Sequence, residues 1–275
     1  MSIKLLALDL DGTIFGDDLL ISDRSRKAIR DAQQLDVVVT IATGRTFGSA
    51  RQVAADLDIA APLLCYQGAM VRHSATEEML YHKTVPLQDA HRVIEETYRL
   101  GLHLNVYVHD RLYVDHVTRH ALFYSQINMG MPINEVGDLH DWLQAQGGAE
   151  PTKLVIVTDE EETDRTLSLF SAAFDKQLQV TKSHPRFTEL TNRQCSKGRA
   201  LAFLADYYRI ERDEVMAIGD GHNDLDMIAW AGYGVAMATS PTAVLDAARI
   251  VCASLKDEGA ADSIERYVLQ AANLP

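Results

Sequence analysis

Cysteine is scarce in this sequence of 275 residues, and its three cysteines lie far apart. Cys65, Cys195 and Cys252 include no Cys-x-x-Cys pair, which excludes the common cysteine-rich zinc motifs and a dithiol redox centre. Scattered thiols in odd number are typical of a reducing compartment, where disulfides do not persist. We therefore expect a cytoplasmic protein with reduced cysteines.

Long hydrophobic runs and runs of basic residues are also missing. The apolar stretch 3–8 meets an acid at Asp9, too soon for a signal-peptide core or a membrane span. Lys and Arg total 26 against 39 Asp and Glu, a formal net charge of −13. Because such a field repels phosphate backbones and anionic headgroups, we expect neither nucleic acid nor a membrane as a partner.

The sequence does contain a regular alternation of apolar runs and amphipathic segments. Continuous apolar runs at 3–8, 37–42 and 62–66 predict buried parallel strands, because strands covered on both faces lack polar alternation. Amphipathic segments at 23–34 and 46–57 predict helices between them. After about residue 190 the alternation resumes, and it predicts elements at 197–208, 215–218, 224–230, 235–237 and 259–270. We expect an α/β fold with a Rossmann-like parallel-sheet core.

A different pattern interrupts this core from about residue 84. Val106-Tyr107-Val108 and Leu112-Tyr113-Val114 flank a short turn and predict a β-hairpin, which does not fit a parallel sheet. Further elements are predicted at 153–158, 160–174 and 178–181. We therefore expect a large inserted α+β domain at 84–187, between core segments 1–83 and 188–275.

Acidic and hydroxyl side chains follow the predicted core strands where each strand ends. The second strand ends at Thr43-Gly44, directly before a helix whose first N–H groups favour an anion. The acids that follow the first strand and the strand 215–218 are Asp9, Asp11, Asp220 and Asp224. Because parallel strands place their carboxyl ends at one edge, we expect these side chains to meet there. Clustered carboxylates repel each other, and a hard cation such as Mg²⁺ is the economical way to keep them ionised.

Together these motifs resemble the four signatures of the haloacid dehalogenase superfamily, and more narrowly its Cof-type, sugar-phosphatase-like branch. The motifs are Asp9-Leu10-Asp11-Gly12-Thr13, Thr43-Gly44-Arg45, Ser196-Lys197-Gly198, and Gly219-Asp220 through Asn223-Asp224. In that branch a large cap domain lies between the second and third motifs, where the sequence pattern independently indicates an insertion. The resemblance implies a Mg²⁺-dependent phosphatase that hydrolyses phosphoric monoesters of small metabolites, with sugar phosphates as the expected class.

The resemblance also implies a role for each motif residue. Asp9 would attack phosphorus and form an aspartyl-phosphate, and Asp11 would protonate the leaving alcohol and then activate water. The Asp9 carboxylate, the Asp11 backbone carbonyl and Asp220 would bind Mg²⁺. Asp224 would support these ligands without binding the ion directly. The groups implied to bind the phosphoryl oxygens belong to Leu10, Thr43, Gly44, Lys197 and Asn223.

Two loops depart from the pattern of Cof-type relatives. Many relatives carry Asn-Gly-Ala after the third strand, where this sequence has Gln67-Gly68-Ala69, so Gln67 is an open candidate for contacting substrate. Met237-Ala238-Thr239-Ser240 likewise replaces the more usual Met-Gly-Asn-Ala. Three charged residues are further candidates for contacting a sugar hydroxyl or a second phosphate, namely Arg45, Arg186 and Glu189.

Two other functions use the same residues. A phosphomutase of the superfamily would keep Asp9 and Asp11, return the phosphoryl group to substrate and require a bisphosphate activator. A non-enzymatic sensor would bind phosphorylated ligands without hydrolysing them, and the complete set Asp9, Asp11, Lys197 and Asp220 argues against it. Asp11 favours phosphate-ester chemistry, because the superfamily's dehalogenases and ion-pumping ATPases lack an aspartate at that place.

Overall fold

A computed structural model describes residues 2–16, 19–128 and 130–270. It divides into two compact units. The core unit comprises Met1–Tyr81 and Ser196–Pro275, and the inserted unit comprises His82–Cys195. Within the described ranges, no helix has the length and apolar character needed to cross a membrane.

The first segment of the core unit begins with the predicted apolar strand. Its elements are, in chain order, β1 (Leu5–Leu8), α1 (Asp23–Gln34), β2 (Val38–Ile41), α2 (Phe47–Asp56), β3 (Pro62–Cys65), β4 (Met70–His73) and β5 (Met79–His82). β1 and β2 pair in parallel, with Leu8 opposite Ile41. α1 begins after Ser22, whose side chain accepts a hydrogen bond from the backbone N–H of Ser25 and so satisfies one free donor of the first turn.

The inserted unit is a six-stranded sheet with helices. Its elements are α3 (Leu87–Leu100), β6 (His103–Val108), β7 (Arg111–Val114), α4 (Arg119–Ile127), β8 (Ile133–Glu135), α5 (Leu139–Ala145), β9 (Lys153–Val157), α6 (Glu160–Phe174), β10 (Leu178–His184) and β11 (Phe187–Asn192). The strand order is β10-β11-β9-β6-β7-β8. β6 and β7 form the predicted hairpin. One face of the sheet supplies Leu104, Ile156 and Leu190 to a buried apolar cluster that also contains Ile94 of α3 and Phe170 of α6.

The second segment of the core unit completes the parallel sheet. Its elements are α7 (Lys197–Tyr208), β12 (Val215–Gly219), α8 (Leu225–Trp230), β13 (Tyr233–Met237), α9 (Thr242–Ala247), β14 (Ile250–Cys252) and α10 (Gly259–Ile264), with a π-helical turn at Glu265–Leu269. The sheet order is β14-β13-β12-β1-β2, and every pairing is parallel. This sheet confirms the predicted α/β class.

Two details of the fold differ from the sequence prediction. β3 was expected in the parallel sheet, but it pairs antiparallel with β4 in a separate sheet of order β3-β4-β5. A bridge between Ala42 and Leu64 brings β3 beside the end of β2. The predicted boundary 187/188 falls inside β11, which hydrogen-bonds to β9 and β10, so the inserted unit extends to Cys195. β11 has the sequence Phe-Thr-Glu-Leu-Thr-Asn, without a continuous apolar run, and its pairing with β9 and β10 assigns it to the inserted unit.

Candidate active site

Three predicted acids converge where β1 and β12 end. These strands are neighbours in parallel register, with Leu8 opposite Ile218, so the residues that follow each strand are adjacent. One carboxylate oxygen from each of Asp9, Asp220 and Asp224 lies within 4.8 Å of the others. The parallel pairing therefore brings together acids from two motifs that are more than 200 residues apart in the chain.

Lys197 joins this cluster from the first position of α7. Its Nζ lies 2.6 Å from Oδ1 of Asp9 and 2.5 Å from Oδ1 of Asp224, and its side chain is completely buried. Ser196 caps the helix by accepting a hydrogen bond from the backbone N–H of Arg199. A lysine at a helix start is ordinarily solvated, and here the fold directs it between two carboxylates.

The charges of the cluster do not balance. Burial first, and then Asp224, raise the pKa of Asp9 well above its usual value, while Lys197 opposes that shift. Burial and Asp224 likewise raise the pKa of Asp220 to about 6. Burial lowers the pKa of Lys197, but the carboxylates of Asp224 and Asp9 outweigh it and raise that pKa, so the ammonium stays charged. A bound divalent cation would relieve the remaining negative charge.

Asp224 organises the loop that follows β12. Its Oδ2 accepts hydrogen bonds from the backbone N–H groups of Asp220, at 3.0 Å, and Gly221, at 2.9 Å. Its Oδ1 accepts from Lys197. Both oxygens of this fully buried carboxylate therefore have protein donors. This arrangement suits a residue that holds the loop and the Lys197 ammonium in place.

The loop after β1 packs directly on Asp220. Gly12 has a φ of +86°, and a Cβ built there would lie 2.3 Å from Oδ2 of Asp220. The Thr13 hydroxyl donates to Oδ1 of Asp220 at 3.2 Å. Any larger residue at position 12 would displace the Asp220 carboxylate, and the backbone conformation itself favours glycine.

Asp11 points to a different partner from Asp9. Arg45 donates to both of its oxygens, from Nε to Oδ2 at 2.9 Å and from Nη2 to Oδ1 at 2.5 Å. The Asp11 side chain is 57% exposed, whereas that of Arg45 is 18% exposed. The guanidinium also lies over the ring of Phe15, 5.0 Å from its centroid. Arg45, predicted from the sequence as a substrate contact, is thus bound to the predicted acid/base residue.

Gln67 connects two of the predicted phosphate-binding motifs. It has a φ of 58° in the turn after β3, and its backbone N–H donates to the Thr43 carbonyl at 3.1 Å. Its Oε1 accepts from Nδ2 of Asn223 at 3.0 Å. A Cβ built on Gly44 would lie 2.3 Å from Nε2 of Gln67, so this glycine makes room for the glutamine side chain. The link depends on the parallel bridge between Ala42 and Leu64 and on the hydrogen bond from the Thr43 N–H to the Leu64 carbonyl, which place this turn beside the end of β2.

The chain is similar to known hydrolases over nearly its whole length. Residues 6–264 match the haloacid dehalogenase-like hydrolase family. The chain belongs to this family. A putative phosphatase of Bacillus subtilis, YxeH, is 28% identical over 275 residues, which cover 97% of this chain and 98% of the relative. From the same organism, a 5-amino-6-(5-phospho-D-ribitylamino)uracil phosphatase is 29% identical over 272 residues, with 96% and 97% coverage.

A solved structure extends the comparison to the fold. A haloacid dehalogenase-like hydrolase from Bacteroides thetaiotaomicron has a TM-score of 0.85 and 27% identity, covering 96% of this chain and 99% of that one. The resemblance to the Cof-type branch is confirmed, and the chain is a phosphatase of the haloacid dehalogenase type. The cluster of Asp9, Asp220 and Asp224 is consistent with the metal site of this family.

Two predicted substrate contacts of this haloacid dehalogenase-type phosphatase lie in the inserted unit. Arg186 donates to Oδ1 of Asp159 and to the Thr158 carbonyl, both at 2.8 Å. Glu189 is buried and accepts from Nζ of Lys153 at 3.1 Å. Both side chains therefore have partners within their own unit, and their contact with substrate stays a prediction.

Leu10, predicted to offer its backbone N–H to phosphate, lies at the start of the loop after β1. Its carbonyl accepts from the N–H groups of Thr13, Ile14 and Phe15, at 2.9–3.2 Å. The residues 10–15 thus form a tight turn that begins at the first motif. This turn places Phe15 beside Asp11, where Gly12 donates its N–H to the Phe15 carbonyl at 2.9 Å.

Proposed function

We propose that this enzyme is a Mg²⁺-dependent phosphatase that hydrolyses small phosphorylated metabolites, in particular sugar phosphates, through an aspartyl-phosphate intermediate. The observation that carries the proposal is the buried ammonium of Lys197 between Asp9 and Asp224, with Asp220 close by. The ribityl phosphate named for one Bacillus relative is a phosphate ester of a polyhydroxylated chain, which supports this substrate class.

The residues of the cluster fit Mg²⁺. Three carboxylates offer oxygen atoms within 4.8 Å of one another, and hard oxygen ligands suit this ion better than the nitrogen and sulfur ligands preferred by softer metals. Asp9, Asp220 and the Asp11 backbone carbonyl would hold it, with Asp224 behind them. When bound, the ion would neutralise charge on the phosphoryl group and keep the carboxylates ionised.

Asp9 is the nucleophile in the first half of the proposed reaction. Lys197 binds Oδ1 of Asp9, which leaves Oδ2 to attack phosphorus. A bond forms between Asp9 and phosphorus as the bond from phosphorus to the ester oxygen breaks. Asp11 gives a proton to that leaving oxygen. Donors from Thr43, Gly44, Leu10, Lys197 and Asn223 bind the phosphoryl oxygens as their charge redistributes.

Water completes the reaction in the second half. Asp11, now a carboxylate, takes a proton from the water that attacks phosphorus. The bond between phosphorus and the Asp9 oxygen breaks, Asp9 returns to a carboxylate and inorganic phosphate leaves. The enzyme is thereby restored with Asp11 again carrying a proton.

A panel of phosphorylated metabolites, assayed for phosphate release with Mg²⁺ and then with EDTA, tests the proposal. We expect hydrolysis that EDTA abolishes and added Mg²⁺ restores. Metal-independent hydrolysis would contradict it. Transfer of the phosphoryl group back to substrate, with a requirement for a bisphosphate activator, would indicate a phosphomutase. Binding of inorganic phosphate without hydrolysis of any ester would indicate a sensor.

A further inference from the structure

The clearest feature that the reaction scheme leaves unexplained is the pairing of Arg45 with Asp11. We propose that Arg45 is a positioning residue that holds the Asp11 carboxylate for activation of water in the second half of the reaction. This inference rests on the proposed role of Asp11 as acid and base. It assigns Arg45 to the hydrolysis of the aspartyl-phosphate instead of to contact with the substrate's leaving group.

The geometry of the pair fixes the carboxylate plane. Two parallel hydrogen bonds, from Nε to Oδ2 and from Nη2 to Oδ1, form the fork-to-fork arrangement that gives arginine and carboxylate pairs their directional specificity. Each carboxylate oxygen has two acceptor positions, and the guanidinium occupies one on each. The outward positions remain available to accept a proton from water.

The surroundings fix Arg45 itself. Its guanidinium lies over the Phe15 ring, and its Nη1 is 3.5 Å from the Ser49 hydroxyl of α2. Arg45 precedes Thr46, the N-cap of α2, so its backbone is tied to a helix start. The turn 10–15 brings Phe15 beside Asp11. The Arg45 side chain therefore contacts both residues, at the two ends of the loop that follows the nucleophile.

Arg45 and Asp11 differ in their exposure to solvent, as we expect for a fixed arginine that orients a carboxylate open to water. Arg45 is mostly covered at 18% exposure, while the Asp11 side chain is 57% exposed. A base that activates water must be reachable by water, and its orienting partner is most effective when its own position is fixed. Arg45 is therefore held by its surroundings while the Asp11 carboxylate stays accessible to water.

The chemical step is the hydrolysis of the aspartyl-phosphate. The water oxygen bonds to phosphorus, the bond from phosphorus to Asp9 breaks, and the water proton moves to Asp11. Loss of Arg45 lets the Asp11 carboxylate leave this position, and a small misplacement of a reacting group costs up to about 100-fold in rate. We therefore expect Arg45→Met to slow this step by about 10- to 100-fold and to accumulate phosphoenzyme.

The test uses p-nitrophenyl phosphate, whose leaving group needs no proton, so the first half does not depend on Asp11 as an acid. Arg45→Met, Arg45→Lys and Asp11→Asn are compared in rapid mixing for a burst of nitrophenolate, and in intact-mass spectra for the added phosphoryl group. Arg51→Met is the matched control, because Arg51 of α2 binds Glu77 and the Ser74 carbonyl instead of an acid of the site. Thermal melting of each variant checks the fold.

If Arg45 positions Asp11, both Asp11→Asn and Arg45→Met should give a burst of nitrophenolate and accumulate phosphoenzyme. Arg45→Lys should be intermediate, since lysine keeps the charge and loses the fork, and Arg51→Met should match the unsubstituted enzyme. A higher KM with unchanged hydrolysis of the phosphoenzyme in Arg45→Met would overturn the proposal and make Arg45 a substrate contact. Slower turnover of Arg45→Met without a burst would also overturn the proposal. Normal turnover of Asp11→Asn would instead remove the proposed role of Asp11 on which the inference rests.

Discussion

Each unit of the molecule buries a lysine against carboxylates, but the charges balance in only one of them. In the inserted unit, Lys153 and Glu189 form an ion pair at 3.1 Å with side chains 4% and 6% exposed. In the core unit, Lys197 lies between Asp9 and Asp224, with Asp220 nearby. A matched buried pair neutralises itself, whereas the cluster in the core unit retains surplus negative charge.

This difference separates structural from chemical use of the same residue types. Lys153 of β9 lies 5.4 Å from the centroid of the Tyr107 ring on β6, and β11, which carries Glu189, pairs with β9 within the sheet. Removing one member leaves an uncompensated charge in a sheet interior. Surplus carboxylates cost stability in the chain alone, and proteins keep such sites where a cation or a reaction needs them.

The largest expected effect is that of Asp9→Asn on turnover. The substitution removes the proposed nucleophile, so phosphate release should fall by at least about 10⁴-fold, as for other enzymes that lose a nucleophile. Thermal melting in EDTA should give an unchanged or higher melting temperature, because one surplus charge is lost. Retained hydrolysis would refute the nucleophile assignment, and a marked loss of stability would refute the surplus charge.

Unlike Asp9→Asn, the substitution Glu189→Gln should lower the free energy of unfolding. It leaves the buried ammonium of Lys153 without its carboxylate, at a cost of about 3 to 5 kcal/mol in the free energy of unfolding. Chemical denaturation measures this difference. The double variant Lys153→Met with Glu189→Leu is the control and should regain most of the loss, since a hydrophobic replacement of a buried pair is close to neutral. A loss below about 1 kcal/mol in the single variant would show that the pair is not structural.

Acidic pH should weaken stabilisation by Mg²⁺. Because the pKa of Asp220 is raised to about 6, a proton would compete with the proposed Mg²⁺ at this carboxylate below that pH. The raised pKa also means that the folded chain without metal binds more protons than the unfolded chain. The contribution of Asp220 to stability is therefore present below about pH 4 and is lost as pH rises through 6.

Melting temperatures with Mg²⁺ and with EDTA, at pH 5 and pH 7.5, measure this effect. The increase caused by Mg²⁺ should be larger at pH 7.5. The histidines of the inserted unit act in the other direction, since burial lowers the pKa of His82 and His103, and their contribution is lost as pH falls below about 6.5. Comparing each pH with its own EDTA sample removes that contribution. An equal or larger increase at pH 5 would contradict the competition.

We expect the smallest effect from Gln67, whose contact with Asn223 in the core unit is uncharged. Gln67→Ala removes the hydrogen bond to Asn223, which is worth about 0.5–1.5 kcal/mol, so we expect kcat/KM to fall about 2- to 12-fold. Steady-state kinetics measure the change. Gln67→Glu is the control, because it keeps an acceptor for the Asn223 amide and should recover part of the activity. Full activity in Gln67→Ala would show that the contact does not position Asn223.

The sequence was most informative where the structure depends on local pattern. The apolar runs located β1 and β2, and the helices Asp23–Gln34, Glu160–Phe174 and Lys197–Tyr208 have the predicted bounds. Strand ends also identified the acids that meet at the sheet edge. Each of these features follows from periodicity and chain order, which a single sequence displays.

What the sequence did not indicate depends on contacts between distant segments. β3 and β11 join their sheets through their partner strands. The residues of a strand do not by themselves indicate which strands it pairs with. Lys197 is buried only because α7 begins beside two carboxylates, and Arg45 binds Asp11 only because β1 and β2 are adjacent. Such pairings are set by the assembled fold, in which each side chain's partners come from other strands.

The position of β1 has a consequence for how the molecule is made. β1 lies between β2 and β12 in the sheet, yet β12 follows it by about 200 residues. During synthesis, the strand that leads to Asp9 has one open edge while the whole inserted unit is translated. Domains generally fold as units as they emerge from the ribosome. The inserted unit is thus translated in full before the core sheet can close, and the cluster of Asp9, Asp220 and Asp224 can form only after residues 215–224 have been added.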